Sequence, residues 1–116
     1  MEKIIYLFVD DIRNPINQWV NIPNNIPCSI TRTYFETISF LNKCKKLNIK
    51  VMIDLDHDLG EEKTGYDIAK WIVENQYPIL SFRLHSMNPV GQINIRELFT
   101  HYGYKEFYWF FKKNII

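Results

Sequence analysis

Three polar clusters in the sequence carry residue types able to do chemistry together: Asp10-Asp11, Asp56-His57-Asp58 and His85-Ser86. Carboxylates held close cannot all ionise cheaply unless a cation sits among them or water bathes them. Gathered at one edge they make a hard, oxygen-rich setting that favours Mg²⁺ or Mn²⁺ over zinc, although two histidines leave room for a softer ion. The expected metal ligands are Asp10, Asp11, Asp56 and Asp58. His57 and His85, with Asp56, are the expected catalytic groups, because imidazoles titrate near neutrality and can serve as general acid and base. Arg13, Ser86 and Asn88 complete the set as phosphate-binding residues: a forked guanidinium, a hydroxyl, and a residue that opens a helix. Each also has a plainer role, as a turn cap (Asp10, Asp11), a surface acid (Asp58), a structural ion pair (Arg13) or a hydrogen-bonded strand-end histidine.

The elements that must position these residues are legible as apolar runs. Residues 4–9, dense in β-branched and aromatic side chains, and residues 51–55, an apolar β-favouring run, have the pattern of strands buried in a sheet, and each ends directly in an acidic cluster. A more exposed strand is expected over residues 28–34 and another over 79–84, the latter leading into His85. A helix is expected from about Tyr34 to Leu47, with Thr33 as N-cap and Glu36 at capping-box spacing; Phe35, Ile38, Leu41 and Cys44 then share its buried face. Lys43, Lys45 and Lys46 fall in its last turn, where they suit the negative end of the helix dipole. A second helix spans residues 66–76 and stops before Pro78; the loop before it holds Thr64-Gly65, with Gly65 supplying backbone freedom. Asn88-Pro89 has the pattern of an N-cap followed by Pro at the first helical position, so a third helix runs from there to about Tyr102, ended by Gly103. Residues 17–27 read as a loop anchored by Trp19, and the aromatic tail over residues 107–111 as a final strand, with a buried helix as the alternative.

Length and charge narrow the classes. A chain of 116 residues fits one domain over residues 1–116, and its apolar and aromatic content suits a packed core. A net charge of +1 gives no pull toward duplex DNA or acidic membranes, so anion binding has to be local. Cys28 and Cys44 lack metal-ligand spacing and read as reduced thiols. The first apolar run is too short for a signal peptide or a membrane span, which makes a cytoplasmic location the expectation.

Strands interleaved with helices imply a doubly wound parallel sheet, α/β in class, with four or five strands and helices on both faces. Ligands of such sheets bind beyond the carboxyl ends of the strands, and all three clusters fall there. The third helix would aim free N–H groups at the same edge, so a metal and a phosphate could meet there.

Two acids after the first strand, an aspartate after the third and a hydroxyl after the fourth resemble the receiver domains of two-component signalling, matched here by Asp10, Asp11, Asp56 and Ser86. The two histidines do not belong to that layout. The closer resemblance is to the cyclic-phosphate processing receiver-like domains, carried by Val9-Asp10-Asp11-Ile12-Arg13-Asn14-Pro15, Leu55-Asp56-His57-Asp58-Leu59-Gly60, Thr64-Gly65-Tyr66-Asp67 and His85-Ser86-Met87-Asn88-Pro89. It implies a receiver-like, flavodoxin-like fold and action on a cyclic phosphate. The expectation is a metal-assisted phosphodiesterase that opens the cyclic phosphate of a nucleotide or an RNA 2′,3′-cyclic end. The alternative is a phospho-accepting receiver or a non-catalytic nucleotide-binding module. A receiver senses its phosphoryl group through a lysine after the fifth strand, a place only Lys112 or Lys113 could fill.

Overall fold

Period-two alternation decides the sheet. In β1 (Lys3–Val9) Leu7 and Val9 turn to one face and Tyr6 and Phe8 to the other, all fully buried. β2 (Cys28–Thr31), β3 (Ile49–Leu55) and β4 (Ser81–Leu84) join it in a parallel sheet of order β2-β1-β3-β4. The structure, a computed structural model, describes residues 3–15 and 26–107. Beyond β4, Glu106 bridges Phe82 in parallel, which marks a fifth position at that edge.

Among the described residues three helices follow the strands: α1 (Tyr34–Lys46), α2 (Gly65–Glu74) and α3 (Pro89–His101). Each step from β2 to β3 to β4 moves the same way along the sheet, so right-handed crossovers set the helices side by side on one face. α1 packs on α2, and α2 on α3. Between this layer and the sheet lies the core, where Leu7, Val9, Ile53, Leu55 and Phe82 meet Leu41, Ile68, Ile72, Ile95 and Phe99. This is the receiver-like, flavodoxin-like α/β fold. No described helix is long and apolar enough to cross a membrane.

Several boundaries and reasons differ from expectation. β2 ends at Thr31, because Thr33 is drawn off to cap α1 by accepting the Glu36 N–H at 3.1 Å. The reciprocal half of that capping box is absent, since the Glu36 carboxylate takes the Arg32 N–H instead. Such a cap contributes about 1 kcal/mol. The buried face of α1 is Thr37, Leu41 and Cys44, whereas Phe35 is 72% exposed. Thr37 replaces it by bonding the Thr31 hydroxyl at 2.8 Å. β4 starts at Ser81, and Gly65 is required for space: a Cβ there would sit 1.9 Å from the Asp56 carbonyl oxygen. Both cysteines are free thiols. The helical cover expected on the opposite face, the Trp19 anchor, the tail strand after Phe107 and the Lys112 or Lys113 place lie outside the described residues.

Candidate functional site

Parallel register builds the site's floor. Val9 pairs with Leu55 and Leu55 with Leu84, and the ladder runs one residue past each strand: the Asp56 N–H bonds the Val9 carbonyl at 3.0 Å and the His85 N–H the Leu55 carbonyl at 3.3 Å. Asp10, Asp56 and His85 therefore stand level. By alternation they share the face of Phe8, Asp54 and Arg83, which are also level with one another.

His85 is the hub. Its side chain is 3% exposed, its Nδ1 lies 2.6 Å from Asp54 Oδ1 and its Nε2 3.0 Å from Asp10 Oδ2. Phe8 stacks on the ring with centroids 4.3 Å apart. Asp54, buried within β3, also accepts from Arg83 Nη1 at 2.8 Å and from the Tyr6 hydroxyl. Asp10 accepts the N–H groups of Ile12 at 2.9 Å and Arg13 at 2.7 Å, and pairs with Arg13 Nε at 3.1 Å. Arg13 Nη2 reaches Asp56 Oδ2 at 3.4 Å. Three carboxylates thus face two guanidiniums and one imidazole, a set that is neutral when His85 is protonated.

The electrostatics follow from those contacts. Burial disfavours the charge on His85, but hydrogen bonds to Asp10 and Asp54 outweigh it and raise its pKa, favouring the imidazolium. Burial also opposes the charge on Asp10, and the His85 bond with the two N–H groups reverses that, holding its carboxyl well below the usual range. Asp56 is pushed up, mainly by burial and then by Asp10, against the pull of His85, Arg13 and the Ser86 hydroxyl. The Tyr6 hydroxyl is driven up by burial and by Asp54.

The rim is organised differently. His57 Nδ1 lies 2.9 Å from Asp58 Oδ1, and Asp58, with a 65% exposed side chain, is held low by that bond. Asn88 reaches the same pair through Nδ2, at 3.4 Å from His57 Nδ1. The imidazole packs so tightly on α3 that a Cβ at Gly91 would lie 2.4 Å from its ring. Gly60, at φ +66°, turns the chain so that Asp11 Oδ2 fits beside it.

A family model described as the cyclic-phosphate processing receiver domain matches residues 5–101. The chain belongs to this family. No curated protein and no solved structure matches it. In this receiver domain all three clusters fall inside the matched span.

A cleft of about 400 Å³ opens above the floor, lined by Asp10, Asp11, Ile12, Arg13, Asp56, Asp58, Gly60 and Met87. Among the described residues, Asp10, Asp56 and His85 can each offer a donor atom, all within 4.8 Å of one another. Two carboxylate oxygens and, once a cation displaces the proton on Nε2, one imidazole nitrogen, with Asp54 bonded to the far side of the ring, fit a divalent cation held in a carboxylate–histidine–metal arrangement. Burial and Asp10 disfavour the charge on Asp56, a strain that a cation relieves. Of the expected ligands, Asp10 and Asp56 stand on the floor, while Asp11 and Asp58 line the cleft.

Two placements differ from the sequence reading. His57 faces a separate groove of about 800 Å³ between α2 and α3, so the two histidines lie on different surfaces. The N-terminus of α3 is largely closed to anions: the Asn88 N–H bonds Ser86 Oγ at 3.0 Å, Pro89 has no N–H, and the Gly91 N–H bonds Asn88 Oδ1 at 2.9 Å. Asn88 is committed to capping, which leaves Arg13, among the described residues, as the cation lining the cleft.

Four residues escaped the sequence reading. Tyr6, Asp54 and Arg83 form the buried end of the network, and opposite charges inside two otherwise apolar strands were the signal for the last two. Arg32 binds the carbonyls of Asp10 at 3.1 Å and Arg13 at 2.6 Å, fixing the loop that carries both. Nothing in the pattern of β2 marks it out.

Proposed function

We propose that this domain is a metal-assisted phosphodiesterase that opens the cyclic phosphate of a nucleotide or of an RNA 2′,3′-cyclic end. The observation that carries this is the convergence of Asp10, Asp56 and His85 beneath a cleft that also holds Arg13. Asp10 and Asp56 would hold Mg²⁺ or Mn²⁺, with Asp11 and Asp58 adding negative charge at the cleft. Once bound, the ion supplies a Lewis acid that withdraws charge from the phosphoryl oxygens. Arg13, which lines the cleft, contributes its positive charge to the phosphate, and the Ser86 hydroxyl, beside Asp56, orients it.

The histidines divide the remaining work. His85 has both ring nitrogens bonded to carboxylates, so in this reading it supplies charge or a ligand atom to the floor. His57 faces the neighbouring groove and reaches the cleft through Asp58, so in this reading it passes protons to the site by way of that carboxylate. Asp58 holds its Nδ1, which leaves Nε2 as the basic nitrogen when the proton sits on Nδ1.

The test is turnover of 2′,3′-cyclic and 3′,5′-cyclic nucleotides by purified protein with Mg²⁺ or Mn²⁺. Wild type should hydrolyse at least one, Asp56→Asn should lose activity, and His57→Ala should lose about 100-fold. Equal inertness of wild type and both variants would end the enzyme reading.

A further inference from the structure

We propose that Ile12 and Met87 form two aliphatic lips that grip the nucleobase of a terminal nucleotide, so that the cleft selects nucleotides over cyclic phosphates without a base, with little preference among bases. This rests on the phosphate-binding reading of the cleft given above. The two side chains are 79% and 83% exposed, and both line the cleft over the acidic floor. Scattered exposed aliphatics are ordinary, but two opening onto one charged cleft leave apolar surface in water exactly where a ligand would lie. Among the described residues the other side chains in the lining are acids and Arg13, so Ile12 and Met87 supply its apolar surface.

Their outward stance is built in. Asp10 Oδ1 accepts the N–H of Ile12 at 2.9 Å and of Arg13 at 2.7 Å, which fixes a tight turn after β1 and leaves the Ile12 side chain outside it. Ser86 Oγ accepts the Asn88 N–H at 3.0 Å, and this second turn presents Met87 in the same way. One lip thus follows β1 and the other β4, with β3 and its floor residue Asp56 between them. A volume of about 400 Å³ lies within the range of small-ligand sites. Aliphatic side chains touch the flat face of a base and offer it no hydrogen bonds. Selection therefore falls on the presence of a base and not on its identity.

The experiment pairs catalysis with binding. With Mn²⁺ present, kcat/KM is measured for the four 2′,3′-cyclic nucleotides and for glycerol 1,2-cyclic phosphate, and calorimetry compares nucleoside 3′-monophosphates with inorganic phosphate. Wild type should favour the nucleotide ligands by about tenfold or more in both assays, the four bases agreeing within a few-fold. The Ile12→Ser/Met87→Ser double variant should lose most of that advantage, and Ile12→Leu/Met87→Leu should keep it. Equal affinity for phosphate and nucleotide in wild type, or an undiminished preference in the serine variant, overturns the proposal. If no cyclic phosphate is turned over but the binding preference exists and follows the lips, the catalytic reading fails while the base grip stands.

Discussion

The molecule holds two histidines near its strand ends, and their surroundings are opposites. His85 is buried, stacked on Phe8 and bonded through both nitrogens to carboxylates. His57 is partly exposed, held at one nitrogen by an exposed acid and packed against the backbone of α3 at Gly91. Buried groups of this kind cannot change protonation without leaving a partner unpaired in a medium of low dielectric, whereas a rim group exchanges protons with water at little cost. The contrast separates a floor, whose task is to hold charge in place, from a rim that can carry proton traffic.

The largest expected effect tests the floor. Asp54→Ala should remove the carboxylate shared by His85 Nδ1, Arg83 and the Tyr6 hydroxyl and cost about 3–5 kcal/mol in urea unfolding; a loss below about 1 kcal/mol would show that the network is not a unit. Against the usual stability of 5–15 kcal/mol for a domain, that loss could leave much of the protein unfolded at ambient temperature.

The rim should break by crowding instead. Gly91→Ala is expected to cost about 1–3 kcal/mol by driving a methyl group into the His57 ring. In a His57→Ala background the same change should become neutral or stabilising, since alanine is otherwise favoured over glycine in a helix by about 1 kcal/mol. A double-mutant cycle without coupling would remove the claim that this contact positions His57.

A third comparison sets the two histidines directly against each other. His57→Ala should change stability by less than about 1 kcal/mol while lowering turnover. His85→Ala should lower both, because it leaves Asp10 and Asp54 facing each other without a cation between them.

The smallest effect is on pH dependence. His85 has a raised pKa in the folded state, so its contribution is fully present below the unfolded value of about 6.5 and is lost as pH rises through the folded one. Asp10 has a lowered pKa, so its contribution is present above about pH 4 and is lost as pH falls through the folded value. Stability should therefore decline as pH rises from about 6.5 through the folded value, and His85→Gln should flatten that limb and also shrink the acid one, since the His85 bond is the leading contact that lowers Asp10. An unaltered alkaline limb in the variant would assign the decline to another group.

How much of this was legible in the sequence depends on whether the signal was local. Thr33 as the cap of α1, Asn88-Pro89 as the start of α3, and the acidic ends of β1 and β3 are set by neighbours within a few residues, and the structure has them. Phe35 was assigned to the wrong face because helical periodicity alone does not say which stripe the sheet will cover. Asp54 and Arg83 were passed over because each looks like a flaw in an apolar strand until register sets them side by side.

By itself, then, the order of residues determined the element types, the parallel winding and the delivery of three polar clusters to one sheet edge, since propensity, capping and crossover handedness act over short stretches of chain. Only the tertiary structure decided that one histidine is buried between two acids and the other turned toward a groove beside α2 and α3. That division depends on which atoms exclude water from each ring, and those atoms come from strands and helices far apart in the chain.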